Sequence, residues 1–215
     1  MVSHWGCCGR SYGTLEKSQK PPISEEAEQK KQRLKEKRKT QRKKPFEEKE
    51  SYRWVEAFEK VENLFSSLKT PIGGQTSRVI HVFDREGDIA EVFARVRQTQ
   101  NTGVVVRAAH NRCLEVENSY LWSHILSRSV QFVKEVELIE TKKRSKRTAT
   151  LEVRFCPVSI NPPSRLKNSV RFNVYAVHAK EIDTPDGCEP VEWMLLTTES
   201  VLSQQDAASV LRWYT

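Results

Sequence analysis

The sequence predicts an α/β fold in which a mainly antiparallel β block interrupts a strand, helix, strand unit. Three observations carry that prediction. Two short continuous apolar runs, Val79 to Phe83 and Val104 to Val106, flank Ile89, Val92, Phe93 and Val96 at helical spacing. After Tyr120 the apolar period shifts mostly to two, as in strands with one wet face. Near the end, Ser203 and Asp206 stand at the spacing that caps a helix.

Taken in order, residues 1 to 44 carry Gly, Pro and charge without apolar periodicity, which predicts a basic, disordered tail. From Tyr52, the residues Trp54, Phe58, Val61, Leu64, Phe65 and Leu68 recur at steps of three and four. They predict an amphipathic helix stopping before Pro71 and Gly73. The Val79 to Phe83 strand is followed by Asp84-Arg85-Glu86-Gly87-Asp88, the helix and the Val104 to Val106 strand. That order favours parallel pairing with the Asp84 loop at the carboxyl edge. The β block comprises Val130 to Leu138, Ala149 to Phe155, Val170 to Ala176 and Val191 to Thr198. A basic turn, Lys142-Lys143-Arg144-Ser145-Lys146-Arg147, joins its first pair, and Asp183-Thr184-Pro185-Asp186-Gly187 ends the third strand. The domains expected are the tail (1–44), a partial core (45–119), a β-rich insertion (120–200) and the start of a core helix (201–215).

Charge is concentrated. Of a net charge of +8 over 215 residues, Lys30 to Lys44 carries ten Lys/Arg against Glu36 alone. The other 200 residues therefore sum to −1. A run of this kind suits release of counterions from DNA phosphates, or serves as a solvated linker or frayed helix. No window of about 18 apolar residues exists to span a membrane. The amino terminus lacks the pattern of a secretory signal, so the five cysteines read as cytosolic thiols, and their odd number without CxxC spacing argues against a disulfide framework or zinc site. Cys113, Cys156 and Cys188 read as small apolar fillers. His81, inside a strand, reads as a satisfied core or face residue.

Four features point toward chemistry, each beside a plainer reading. Asp84, at a strand's carboxyl end, suits a hard divalent cation, and is equally a turn former or helix cap. Arg107 and Arg112 leave the same edge and reach toward phosphates, or serve as surface ion-pair partners. Trp193 shares a strand face with Val191 and Leu195, and is either a core aromatic or a stacking platform for an unpaired base. No GxSxG, P-loop or GxGxxG is present, so the familiar hydrolase and nucleotide-binding readings gain no support.

The runs EEKESYRW (Glu47 to Trp54), HVFDREGDI (His81 to Ile89), VVVRAAHNR (Val104 to Arg112), LWSHI (Leu121 to Ile125), EWMLLTTE (Glu192 to Glu199) and VLRWYT (Val210 to Thr215) occur in one order. In that order they resemble the IS-four-type insertion-sequence transposases of the DDE class. The resemblance covers roughly residues 45 to 215. It implies a ribonuclease-H-like core interrupted by a β-rich insertion domain. In that family three carboxylates hold two Mg²⁺ ions for attack on a DNA phosphodiester. By the same match Asp84 corresponds to the second catalytic aspartate and a metal ligand. Trp193 corresponds to the residue that holds a flipped base. Arg107 and Arg112 correspond to contacts with transposon-end DNA, and Lys142, Lys143 and Arg144 join the expected DNA-binding set.

The chain also departs from the family pattern. Residues 1 to 83 contain no Asp, and Tyr214 and Thr215 end the chain where the family continues to a catalytic Glu. The expectation is therefore a truncated, catalytically incomplete DDE transposase located in the bacterial cytoplasm with the nucleoid. Its expected partners are DNA and a full-length transposase subunit, with neither a membrane nor a small-molecule substrate among them. A second reading is a noncatalytic DNA-binding protein that competes with a full-length relative. A third is a metal nuclease rebuilt around Asp84, Glu86 and Asp88.

Overall fold

A computed structural model of the chain describes residues 25–67, 78–116, 119–141, 145–163, 166 and 171–215. It divides into two units, residues 1–45 and 46–215.

In the first unit, Glu25–Lys43 is a 19-residue helix, α1, where the sequence predicted a disordered tail. The residue types explain the difference: Glu, Lys, Gln, Arg and Ala are strong helix formers. In keeping with the missing apolar periodicity, no side chain described on this helix is buried. Side chains from Glu28 to Glu36 are exposed, Leu34 to 50%, as are Lys39 and Thr40. Lys31, Lys35 and Lys39 follow one another at i,i+4, a spacing at which like charges cost about 0.2–0.5 kcal/mol per pair.

The second unit holds α2 (Tyr52–Ser67), β1 (Val79–Phe83), α3 (Ala90–Gln98), β2 (Thr102–Arg107), α4 (Leu121–Leu126), β3 (Phe132–Leu138), β4 (Arg147–Ile160), β5 (Phe172–Ile182), β6 (Glu192–Thr197) and α5 (Gln204–Tyr214). Its strands form one mixed sheet in the order β1-β2-β6-β5-β4-β3. As predicted, β1 and β2 are parallel, from Val79↔Thr102 to Phe83↔Val106. The remaining pairs are antiparallel. β6 joins the two parts through Val106↔Leu196 and Arg107↔Leu195. The block expected as an insertion shares its sheet with the strand, helix, strand unit.

Alternate residues of the sheet enter two cores. Val104, Val106, Met194, Leu196, Val174 and Ala176 join one that includes Val55 and Phe58 of α2, Phe93 of α3 and Leu121 of α4. Val105, Leu195, Trp193, Val177 and Ala179 join the other, which includes Val210 and Leu211 of α5. With period-2 alternation, these cores lie on opposite faces. The central strands β2 and β6 are consequently buried on both faces, as the continuous apolar run of β2 predicted. Fully burying one such Val or Leu stabilises by about 1.5–3 kcal/mol.

β4 runs through Pro157, which the sequence would place outside a central strand. The register resolves this. β3 pairs with β4 only from Arg147 to Val153, so Pro157 lies beyond its partner on that side. At the far end, Ser203 accepts from the Asp206 amide while the Asp206 carboxylate accepts from the Ser203 amide, completing the predicted capping box. The Ser203 hydroxyl and the Leu202 amide hold that carboxylate below its ordinary range.

Candidate nucleic-acid interface

The parallel pair sets the site. Because β1 and β2 run together, Asp84 and Arg107 emerge one residue beyond the Phe83↔Val106 pair at the same sheet edge. β6 runs the other way between β2 and β5, so its first residues, Glu192 and Trp193, reach that edge from the opposite direction. Arg107 donates to the Glu192 carbonyl at 3.0 Å. A groove of about 870 Å³ opens there, lined by Arg107, Thr141, Cys188, Glu189, Glu192 and Trp193 among others.

Asp84 is exposed, and its carboxylate accepts from the Glu86 amide at 2.9 Å, capping a 3-10 turn over Arg85–Gly87. Gly87 lets this turn close tightly: a Cβ there would lie 2.5 Å from the Phe83 Cβ. Glu86 pairs with Arg53 of α2. Asp88 is only 1% exposed and anchors the loop after β2. One of its oxygens accepts from the Ala109 and His110 amides at 2.8 and 3.2 Å, and the other accepts from Arg112. Arg112 also donates to the Asp88 carbonyl at 2.8 Å, and its side chain is 13% exposed. Its fork, predicted to reach DNA, is thus spent inside the protein. Desolvated pairs of this kind are costly to break from one side.

Trp193 is 8% exposed, in one core cluster with Val191 and Leu195, and packs edge-on to Tyr214 at 5.6 Å between centroids. Most of the ring is a core aromatic, and part of it lines the groove. Lys142, Lys143 and Arg144 lie outside the described residues. Their chain neighbours Thr141 and Ser145 line the groove, while the described lining itself carries one cation, Arg107, and two carboxylates, Glu189 and Glu192.

Several partners that sequence reading missed shape this edge. Glu181 pairs with Arg147 through both guanidinium ends and accepts from the Val191 amide at 2.9 Å, tying β4 to the start of β6. The hydrogen bond that Arg147 donates to Glu181 raises the Arg147 pKa above its ordinary value. His178, fully buried, meets Glu192 at 2.8 Å while its Nδ1 has no partner. Burial pushes His178 below its ordinary pKa, against the opposing pull of Glu192. Each contact joins residues distant in sequence, so spacing carried no signal for it.

Other predicted residues sort clearly. His81, 7% exposed, meets Glu62 at 2.9 Å and packs against Phe58 at 4.4 Å between ring centroids, satisfied as expected. Cys156 is a buried filler whose thiol pKa is raised by burial, whereas Cys113 and Cys188 are exposed, contrary to expectation. Both of the latter lie outside regular strands and helices, where a thiol need not pack.

The carboxylates do not fit a pair of magnesium ions. Asp84 is singly placed, Glu86 is held by Arg53, and both Asp88 oxygens are occupied. Among the described residues no group of three His, Cys, Asp or Glu converges to hold a metal. No helix among them is long and apolar enough to cross a membrane. No family model matches the chain.

Proposed function

We propose that the chain is a DNA-binding protein of the DDE-transposase kind. In this reading its strand, helix, strand unit is ribonuclease-H-like, and transposon-end DNA lies along the edge shared by β1, β2 and β6. The observation that carries the reading is the placement of Asp84, Arg107 and Trp193 at one end of the sheet, where Arg107 and Trp193 line an open groove. Ligands of open α/β sheets bind outside the carboxyl ends of parallel strands, and Arg107 stands at that place. In the sequence, the basic run Lys142-Lys143-Arg144 falls between the groove residues Thr141 and Ser145.

Within the described carboxylate set, strand cleavage lacks the ligands that Mg²⁺ chemistry of this class uses, so no cutting step is assigned to this chain. That favours a noncatalytic role beside a full-length transposase subunit in the nucleoid. Purified 215-residue protein should bind a labelled 30-bp duplex in a salt-sensitive manner. Arg107→Ala should weaken binding about tenfold, the worth of one charge-assisted hydrogen bond. Asp84→Asn should leave binding intact, and neither Mg²⁺ nor Mn²⁺ should induce nicking. Absence of duplex binding at low salt would sink the reading. Nicking abolished by Asp84→Asn would replace it with the nuclease reading.

A further inference from the structure

We infer that α1 is a DNA-backbone-binding helix whose helicity depends on the phosphates it meets, and that it supplies the salt-dependent part of the affinity. This rests on the DNA-binding reading and assigns a separate element to it. Two observations carry it. First, α1 offers no apolar face: every side chain described on it is exposed, Leu34 included. A helix that lies on a lipid surface needs an apolar stripe, and α1 has none, so a charged partner is required. Second, Lys31, Lys35 and Lys39 form an exposed row at i,i+4.

Rising about 1.5 Å per residue, that row spans about 12 Å. One strand of duplex DNA presents a phosphate every ~3.4 Å of axis, so the row faces about three to four phosphates. The charge spacing that opposes the free helix therefore favours the bound one, because each phosphate screens a repelling pair. The surrounding run from Lys30 to Lys44 has a net charge of +9, which extends the same complementarity. Nothing in such contacts reads bases, so the binding is independent of sequence.

The test uses the full chain and the triple variant Lys31→Gln, Lys35→Gln, Lys39→Gln. Affinity for a 30-bp duplex is measured by anisotropy across a KCl series, and amide hydrogen exchange is followed over residues 28–43. The expected result is a salt slope shallower by about 2 to 3 in the variant. Duplex should also slow exchange in α1 of the wild type at low salt, and much less in the variant. The paired variant with three Arg replacements should restore both, which separates charge from folding. An unchanged slope, or exchange unaffected by duplex, overturns the inference. Equal protection by polyglutamate or by phosphatidylserine vesicles also overturns it, reassigning α1 to an acidic protein or a lipid surface. If the triple variant keeps the wild-type slope while Arg107→Ala weakens binding, α1 fails and the groove reading stands. If no form binds duplex, both fail.

Discussion

Asp84 and Asp88 stand four residues apart at one end of β1, yet they do opposite work. Asp88 is sealed, with its two oxygens shared among two amides and Arg112. Asp84 is exposed and makes one local cap bond. The loop after β2 thus draws its shape from Asp88, while the open groove beside Arg107 keeps charged groups facing solvent. The contrast teaches that an acidic motif at a strand end can divide its labour, with one carboxylate spent on architecture so that the other can remain open.

That division is sharpest under mutation. Asp88→Ala leaves a poorly exposed guanidinium and two amides without their acceptor, and should cost about 3–5 kcal/mol in urea unfolding. Asp84→Asn keeps a good cap residue and should change stability by no more than about 0.5 kcal/mol. Equal effects for the two would break the contrast. Gly87→Ala, between them, forces the Phe83 side chain aside, and a loss of about 1–3 kcal/mol is expected in the same titration.

Buried beside the groove residue Glu192, His178 supplies a pH signature. Its folded pKa lies below the ordinary 6.5 because burial disfavours the cation, so the unfolded chain binds the extra proton. Its contribution is complete above pH 6.5 and declines as pH falls below it, by at most about 1.4 kcal/mol per pH unit. Comparing stability at several pH values for wild type and His178→Gln isolates this slope, and parallel curves would refute it. Arg107→Ala removes one hydrogen bond to a carbonyl at the open edge. It should lower stability by only about 0.5–1.5 kcal/mol, and a thermal melt distinguishes that from the larger Asp88 effect.

What could be read from sequence was what local pattern encodes. The runs Val79 to Phe83 and Val104 to Val106 with the helical spacing between them identified β1, α3, β2 and their parallel sense. Ser203 and Asp206 identified the α5 cap. What escaped was set by distance in sequence. Nothing local announces that β6 would slot between β2 and β5, where it is buried on both faces. The Asp88 and Arg112 pair, 24 residues apart, is invisible to spacing rules, so Arg112 read as a phosphate ligand. α1 was missed because periodicity reports packing, and an unpacked helix rests on propensity alone.

The place of β6 also bears on the order in which the protein is made. Following the other described strands in the chain, it occupies a middle position and bridges β2 and β5, which lie about seventy residues apart. Until residue 197 has left the ribosome, β2 and β5 each carry an unsatisfied ladder, and the nascent chain holds two half-sheets. Such long-range closure makes folding slow. During that interval the apolar flanks of β2 and β5 are open to pairing with neighbouring nascent chains, so yield on overexpression should respond more to chaperone supply and growth temperature than to changes on the finished surface.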